Sequence, residues 1–151
     1  MTNLFSYYQS WRMITSLLSN KEGKSYFSNI EISQYEGLNG ACPPVKIISP
    51  QKYRKKVIIL YPGASPHAEK HPEMEILGSI LAQNGYKVFI PRIPPLKILD
   101  ISAVNVEWFI CFYQWLLDTQ QLESQNICMV GISYGGGIML KAYLQLKKLL
   151  T

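Results

Sequence analysis

The sequence predicts an α/β fold built on a parallel sheet, and three observations carry the prediction. From residue 57 onward, short apolar runs alternate with segments of helical periodicity, the pattern of strands joined by right-handed crossover helices. The run Val57-Ile58-Ile59-Leu60-Tyr61 is apolar and β-branched, which suits a central strand covered on both faces. A second run, Ile127-Cys128-Met129-Val130, leads directly into Gly131-Ile132-Ser133-Tyr134-Gly135 and a further helical stretch.

The elements follow in order. Leu4, Tyr7, Tyr8, Trp11, Ile14, Leu17 and Leu18 fall at helical spacing, which predicts an amphipathic helix within residues 1–20. Its polar face carries only Arg12, so packing on the domain or a partner is favoured over lying on a membrane. After a polar stretch, Ile30 and Ile32 alternate with polar residues, Gly37 to Gly40 mark a turn, and Val45 to Ser49 form a second strand. These two strands are expected to pair as a hairpin. The strand at 57–61 ends in the loop Pro62-Gly63-Ala64-Ser65-Pro66. Pro72 then suits the first turn of a helix, with Glu73 and Glu75 near its positive end. Met74, Leu77, Ile80 and Leu81 form the apolar face of that helix, and Gly85 stops it. A strand over 86–90 leads into a proline-rich crossover at 91–100. Ser102 is placed to cap the next helix, whose apolar face includes Trp108, Phe109, Phe112 and Leu116. In the last helix, Met139, Ala142, Tyr143, Leu146 and Leu149 share one face.

Composition narrows the function classes. The 151 residues are 48% hydrophobic and 17% charged, values of a globular chain that can bury a core. The net charge of +5 is scattered, with one small basic group at 52–56 that reads as a solvated turn, so nucleic-acid binding is not expected. No apolar run approaches the ~18 residues of a membrane span, and no basic leader precedes an apolar block. Cys42, Cys111 and Cys128 lack metal-like spacing. Cys111 and Cys128 read as buried small hydrophobes, with Cys128 pointing into packed structure, which favours a reducing, cytoplasmic setting.

The pentapeptide at 131–135 carries the chemistry. A serine in G-x-S-x-G between a strand and a helix sits on a tight turn that lifts its hydroxyl above the sheet edge, with glycines relieving the crowding. The plain alternative is a glycine-rich turn with a helix-capping serine. A phosphate loop fits poorly, because neither the Lys-Ser/Thr end nor the G-x-G-x-x-G spacing is present.

On these residues the chain resembles the α/β-hydrolase family, particularly its small esterase and dienelactone-hydrolase-like members. The resemblance covers residues 28–150. It rests on Tyr61-Pro62-Gly63, on the unit running from the helix through Gly85 to Pro91, and on Gly131 to Gly137. It implies Ser133 as nucleophile and the backbone N–H of Tyr134 as an oxyanion donor. It also implies a second donor at Ala64, with Gly63 permitting close approach of the oxyanion loop. The implied reaction is cleavage of a small-molecule ester or related acyl bond through an acyl-enzyme, without a cofactor.

The sequence departs from the family in two respects. The family's acid and histidine follow the nucleophile in chain order, yet none of the 16 residues after Gly135 is Asp, Glu or His. The family also places further strands beyond the one ending at Val130, which leaves that strand as an apolar edge. Residues 28–151 are therefore expected to be the N-terminal half of a hydrolase domain with the C-terminal strands missing, inactive alone, by truncation of a once-complete enzyme. The alternatives are half of a split enzyme and a non-catalytic binding or assembly module. A complementing chain or self-association would use the exposed edge.

His67 and His71, four residues apart, have a spacing that could present two metal ligands on a helix, with Glu69 or Glu73 to complete the shell. Pro66 and Pro72 bracket them and argue for a loop near the site, so no metal is expected. His67 is also weighed as a substitute proton acceptor for Ser133, since both loops should lie at the same end of the sheet. Asp100 and Asp118 read as capping or solvated residues.

Overall fold

The computed structural model describes residues 29–149 and Thr15. Apart from Thr15, the helix expected near the N-terminus lies outside the described residues. The elements in chain order are β1 (Asn29–Gln34), β2 (Pro44–Ser49), β3 (Val57–Tyr61), α1 (Pro72–Gln83), β4 (Lys87–Pro91), the single turn α2 (Pro94–Lys97), α3 (Val104–Gln120), β5 (Ile127–Gly131) and α4 (Tyr134–Leu149). Short 3-10 turns occupy Leu38–Gly40, Ala68–Lys70 and Ser124–Asn126.

The five strands form one mixed sheet in the order β1-β2-β4-β3-β5. The expected hairpin is present, with Asn29 opposite Ser49 and Gln34 opposite Pro44. β2 then pairs antiparallel with β4, and β3 runs parallel to both β4 and β5. The all-apolar β3 thus lies between two strands and is buried along its length.

Strand alternation divides the core into two layers. Val57, Ile59, Tyr61 and Phe89 face α3 and α4, where Phe109, Phe112, Leu116, Ile138, Ala142 and Leu146 meet them. Ile58, Leu60, Val88 and Ile90 face α1, which contributes Met74, Leu81 and Ala82. The larger layer is aromatic. Tyr61 stacks on Phe109 with centroids 4.0 Å apart, and its hydroxyl donates to the Phe109 carbonyl at 2.8 Å. Lys46 shares the α1 side of the sheet and buries its stem there, its ammonium reaching Glu75 Oε2 at 2.5 Å.

Four local expectations are corrected. Cys128 is exposed, because β5 is an edge strand and Cys128, level with Ile58, lies on the α1 side beyond the reach of that helix. Cys111 is half-buried rather than buried. Tyr143 is also exposed: the buried stripe of α4 runs through Ile138, Ala142 and Leu146, while Leu140, Tyr143 and Leu144 face outward. At the start of α3 the Ser102 side chain makes no cap. Asp100 Oδ1 instead accepts the Ser102 N–H at 2.9 Å, and the buried Asn105 amide donates to the carbonyls of Asp100 and Ser102.

Candidate active site

The parallel strands β3, β4 and β5 end on the same side of the sheet, so the segments that follow them converge there. The segment after β5 is the tight turn expected of an elbow. Its Ile132 N–H continues the strand ladder to the Tyr61 carbonyl at 3.0 Å, and Ser133 follows in the left-handed region with φ +52°. That conformation costs a non-glycine residue about 1–2 kcal/mol. The turn closes at once, with Gly135 N–H on the Ile132 carbonyl and Gly136 N–H on the Ser133 carbonyl, both at 2.9 Å. Ser133 is exposed rather than packed inside.

The sharpness of this turn depends on bare backbone. A Cβ on Gly135 would stand 2.4 Å from the Pro62 carbonyl oxygen, and one on Gly131 would stand 2.5 Å from the Gly135 carbonyl oxygen. The segment after β3 comes equally close: a Cβ on Gly63 would lie 3.0 Å from the Ile132 carbonyl oxygen and 3.3 Å from Ser133 Cβ. Gly63 therefore serves contact with the elbow itself. Ala64 follows it, and neither the Ala64 nor the Tyr134 backbone N–H donates to another group among the described residues. The Tyr134 N–H is one of the unpaired donors at the start of α4, where the helix field favours negative charge.

Ser133 borders a cavity of about 630 Å³. Gly63, Ala64 and Ser65 form one wall, Met74 and Leu77 of α1 an apolar second wall, and His71 lies between them. Of the two histidines, His71 reaches the cavity lining and His67 does not. The His71 Nδ1 is buried without a hydrogen-bond partner among the described residues, and its ring sits edge-on to His67 at 5.8 Å. No cluster of three or more metal-ligating side chains occurs among the described residues. No helix among them is long and apolar enough to cross a membrane.

The pairing of Glu69 with Arg92 carried no sequence signal. Glu69, buried in the turn after Ala68, receives two hydrogen bonds from Arg92 at the end of β4: Nε to Oε2 at 2.9 Å and Nη2 to Oε1 at 2.6 Å. Burial alone raises the affinity of this carboxyl for a proton. The Arg92 hydrogen bonds and charge, with the turn's own backbone and Lys70, outweigh it and hold the carboxyl below its ordinary range.

No protein-family model and no curated protein sequence matches the chain, so its likeness to known proteins is structural. It superposes on the dienelactone hydrolase of Anabaena variabilis with a TM-score of 0.65 at 17% identity, over 80% of this chain and 59% of that one. An esterase of Pyrobaculum calidifontis gives 0.64 at 17% identity, over 95% and 48%. A bacterial heroin esterase gives 0.60 at 14% identity, over 97% and 47%. The fold is that of part of an α/β hydrolase, and the chain spans about half to three fifths of the length of these three proteins.

Proposed function

We propose that this chain is the nucleophile-bearing half of a serine esterase-like hydrolase. Ser133 attacks the carbonyl carbon of a small ester, the alcohol leaves, and water later cleaves the acyl-enzyme. The Tyr134 and Ala64 N–H groups receive the developing oxyanion, each at a worth of about 3 kcal/mol. The observation that carries the reading is the conjunction at Ser133. An exposed serine stands on a left-handed turn and borders a cavity that Ala64 also lines, and the Ala64 and Tyr134 N–H groups donate to nothing else among the described residues. A plain capping serine needs neither the left-handed turn nor the cavity.

Attack also requires a group to take the serine proton. By the family resemblance this is a histidine, held by an acid, on loops after further strands. The edge strand β5 and the exposed Leu140, Tyr143 and Leu144 of α4 offer the surface such strands would cover. Supply of that polypeptide, by continuation of the same chain or by a complementing chain, separates the half-enzyme from an assembly module. The three unpaired cysteines fit a reducing, cytoplasmic setting.

A fluorophosphonate probe with peptide mapping, used throughout with imidazole added as the proton acceptor, tests the nucleophile. Modification is expected at Ser133 and lost in Ser133→Ala. The chain alone should give no sustained turnover of a p-nitrophenyl ester. Equal labelling of the Ser133→Ala protein overturns the nucleophile. Steady turnover by the wild type that the substitution removes overturns the externally supplied base.

A further inference from the structure

We propose that the Glu69–Arg92 ion pair is a positioning clamp that sets the Ala64 N–H against Ser133. The inference rests on the reading of Ser133 and Ala64 given above. The segment at 62–71 must hold a backbone donor in place, yet it contains only one short 3-10 turn. Two anchors fasten it to the β4 side of the site. The Ser65 N–H donates to the Leu96 carbonyl at 3.2 Å, and Glu69 grips Arg92. Between these anchors the turn closes on itself, with the Ala68 N–H on the Ser65 carbonyl at 3.1 Å. Ala64 thus extends from a doubly anchored unit.

Arg92 is itself fixed. Its backbone N–H donates to the Pro44 carbonyl at 2.9 Å, and its carbonyl accepts the Tyr35 hydroxyl at 2.7 Å. The clamp therefore refers the segment to the framework of β2 and β4 rather than to another loop. The bidentate geometry fixes direction as well as distance. Glu69 is fully buried and absent from the cavity lining, so it touches no substrate and acts through the loop. Stability alone explains the pair poorly, because apolar replacements of a buried ion pair are often neutral or stabilising.

That point supplies the test. Amide hydrogen exchange, urea unfolding and fluorophosphonate labelling are compared in the wild type, Glu69→Gln and the double variant Glu69→Met/Arg92→Met. In Glu69→Gln, the Ser65 and Ala68 amides are expected to exchange at least ten-fold faster, while amides of β3 and β5 keep wild-type rates. Labelling should slow about ten-fold. The double variant should unfold at or near the wild-type urea midpoint yet keep the fast-exchanging loop and slow labelling. If the double variant restores the loop amides along with stability, or if exchange rises equally in β3 and β5, the pair is a stabilising contact and the clamp is refuted. If wild-type Ser133 does not label at all, the nucleophile assignment fails, and loop exchange still decides the clamp.

Discussion

The elbow predicts that two alanine substitutions only two residues apart will change stability in opposite directions. At Gly135 the new Cβ meets the Pro62 carbonyl oxygen at 2.4 Å, with the Pro62 carbonyl carbon and the Tyr61 carbonyl oxygen at 3.1 Å. All three are backbone atoms, so no side chain can turn away. The start of α4 must move off the end of β3 by several tenths of an ångström. Overpacking of this kind costs about 1–3 kcal/mol, and the upper part of that range applies where backbone has to shift. Alanine's better helix propensity returns about 1 kcal/mol, which leaves a net loss of about 2 kcal/mol. At Gly137 a Cβ meets nothing within 4 Å, and the position is exposed and helical. Only the propensity term survives there, a gain of about 1 kcal/mol. With a urea dependence of about 2 kcal/mol per molar, the unfolding midpoint should fall by about 1 M in Gly135→Ala and rise by about 0.5 M in Gly137→Ala. Ser133 labelling should drop in the first and hold in the second. Midpoints that move together, or a neutral Gly135→Ala, refute the close approach of α4 to β3 on which the elbow depends.

Two further outcomes follow. Ser133 carries φ +52°, so Ser133→Gly should be more stable than Ser133→Ala by about 0.5–1 kcal/mol, the left-handed strain relieved less the chain entropy of glycine; paired urea titrations check this, and the reverse order argues against strain at the turn. The Glu69 carboxyl, faced by Arg92, Lys70 and Tyr35, binds its proton less readily when folded than unfolded. Its contribution is therefore fully present above the unfolded value of about 4.3 and is lost as pH falls through the lower folded value. Urea midpoints measured from pH 6 to pH 3 should decline less steeply in Glu69→Gln than in the wild type.

What was legible in the sequence was local. β3 announces itself because an apolar β-branched run of five has few other uses, and Pro72 with Glu73 and Glu75 marks the start of α1 by simple helix-end chemistry. The elbow is legible because the Gly-x-Ser-x-Gly spacing itself marks it, and Gly131 answers contacts with Gly135 and Gly136; the Pro62 carbonyl that Gly135 answers lies far off in sequence and leaves no local mark. The insertion of β4 between β2 and β3 leaves no such mark, since strand order is a long-range choice. The exposure of Cys128 and Tyr143 follows from that order, because an edge strand and its helix lack neighbours that an apolar pattern takes for granted. The preference for His71 over His67 at the cavity was hidden for another reason. His71 is the residue immediately before α1, so the direction of that helix, not the His-x-x-x-His spacing, carries it to the cavity. The pairing of Glu69 with Arg92 was illegible because a buried loop carboxylate has the same one-letter signature as a solvated one.

Strain at a nucleophile persists only where the surroundings over-determine it, and here three bonds between three segments do so. The Ile132 N–H ties the elbow to Tyr61 at the end of β3. The Ser65 N–H ties the segment after β3 to Leu96 in the segment after β4. The Tyr134 hydroxyl, one residue beyond Ser133, donates to the Ile101 carbonyl at 2.6 Å and returns the elbow to that same β4 segment. The three connections close a triangle, so no one segment can shift without breaking a bond to another. None of them calls on a group outside the described residues. A frame of this kind can hold the serine and its flanking backbone donors before any proton acceptor arrives. In the proposed enzyme, nucleophile geometry is thus set by this half, and acid–base chemistry is a separable addition.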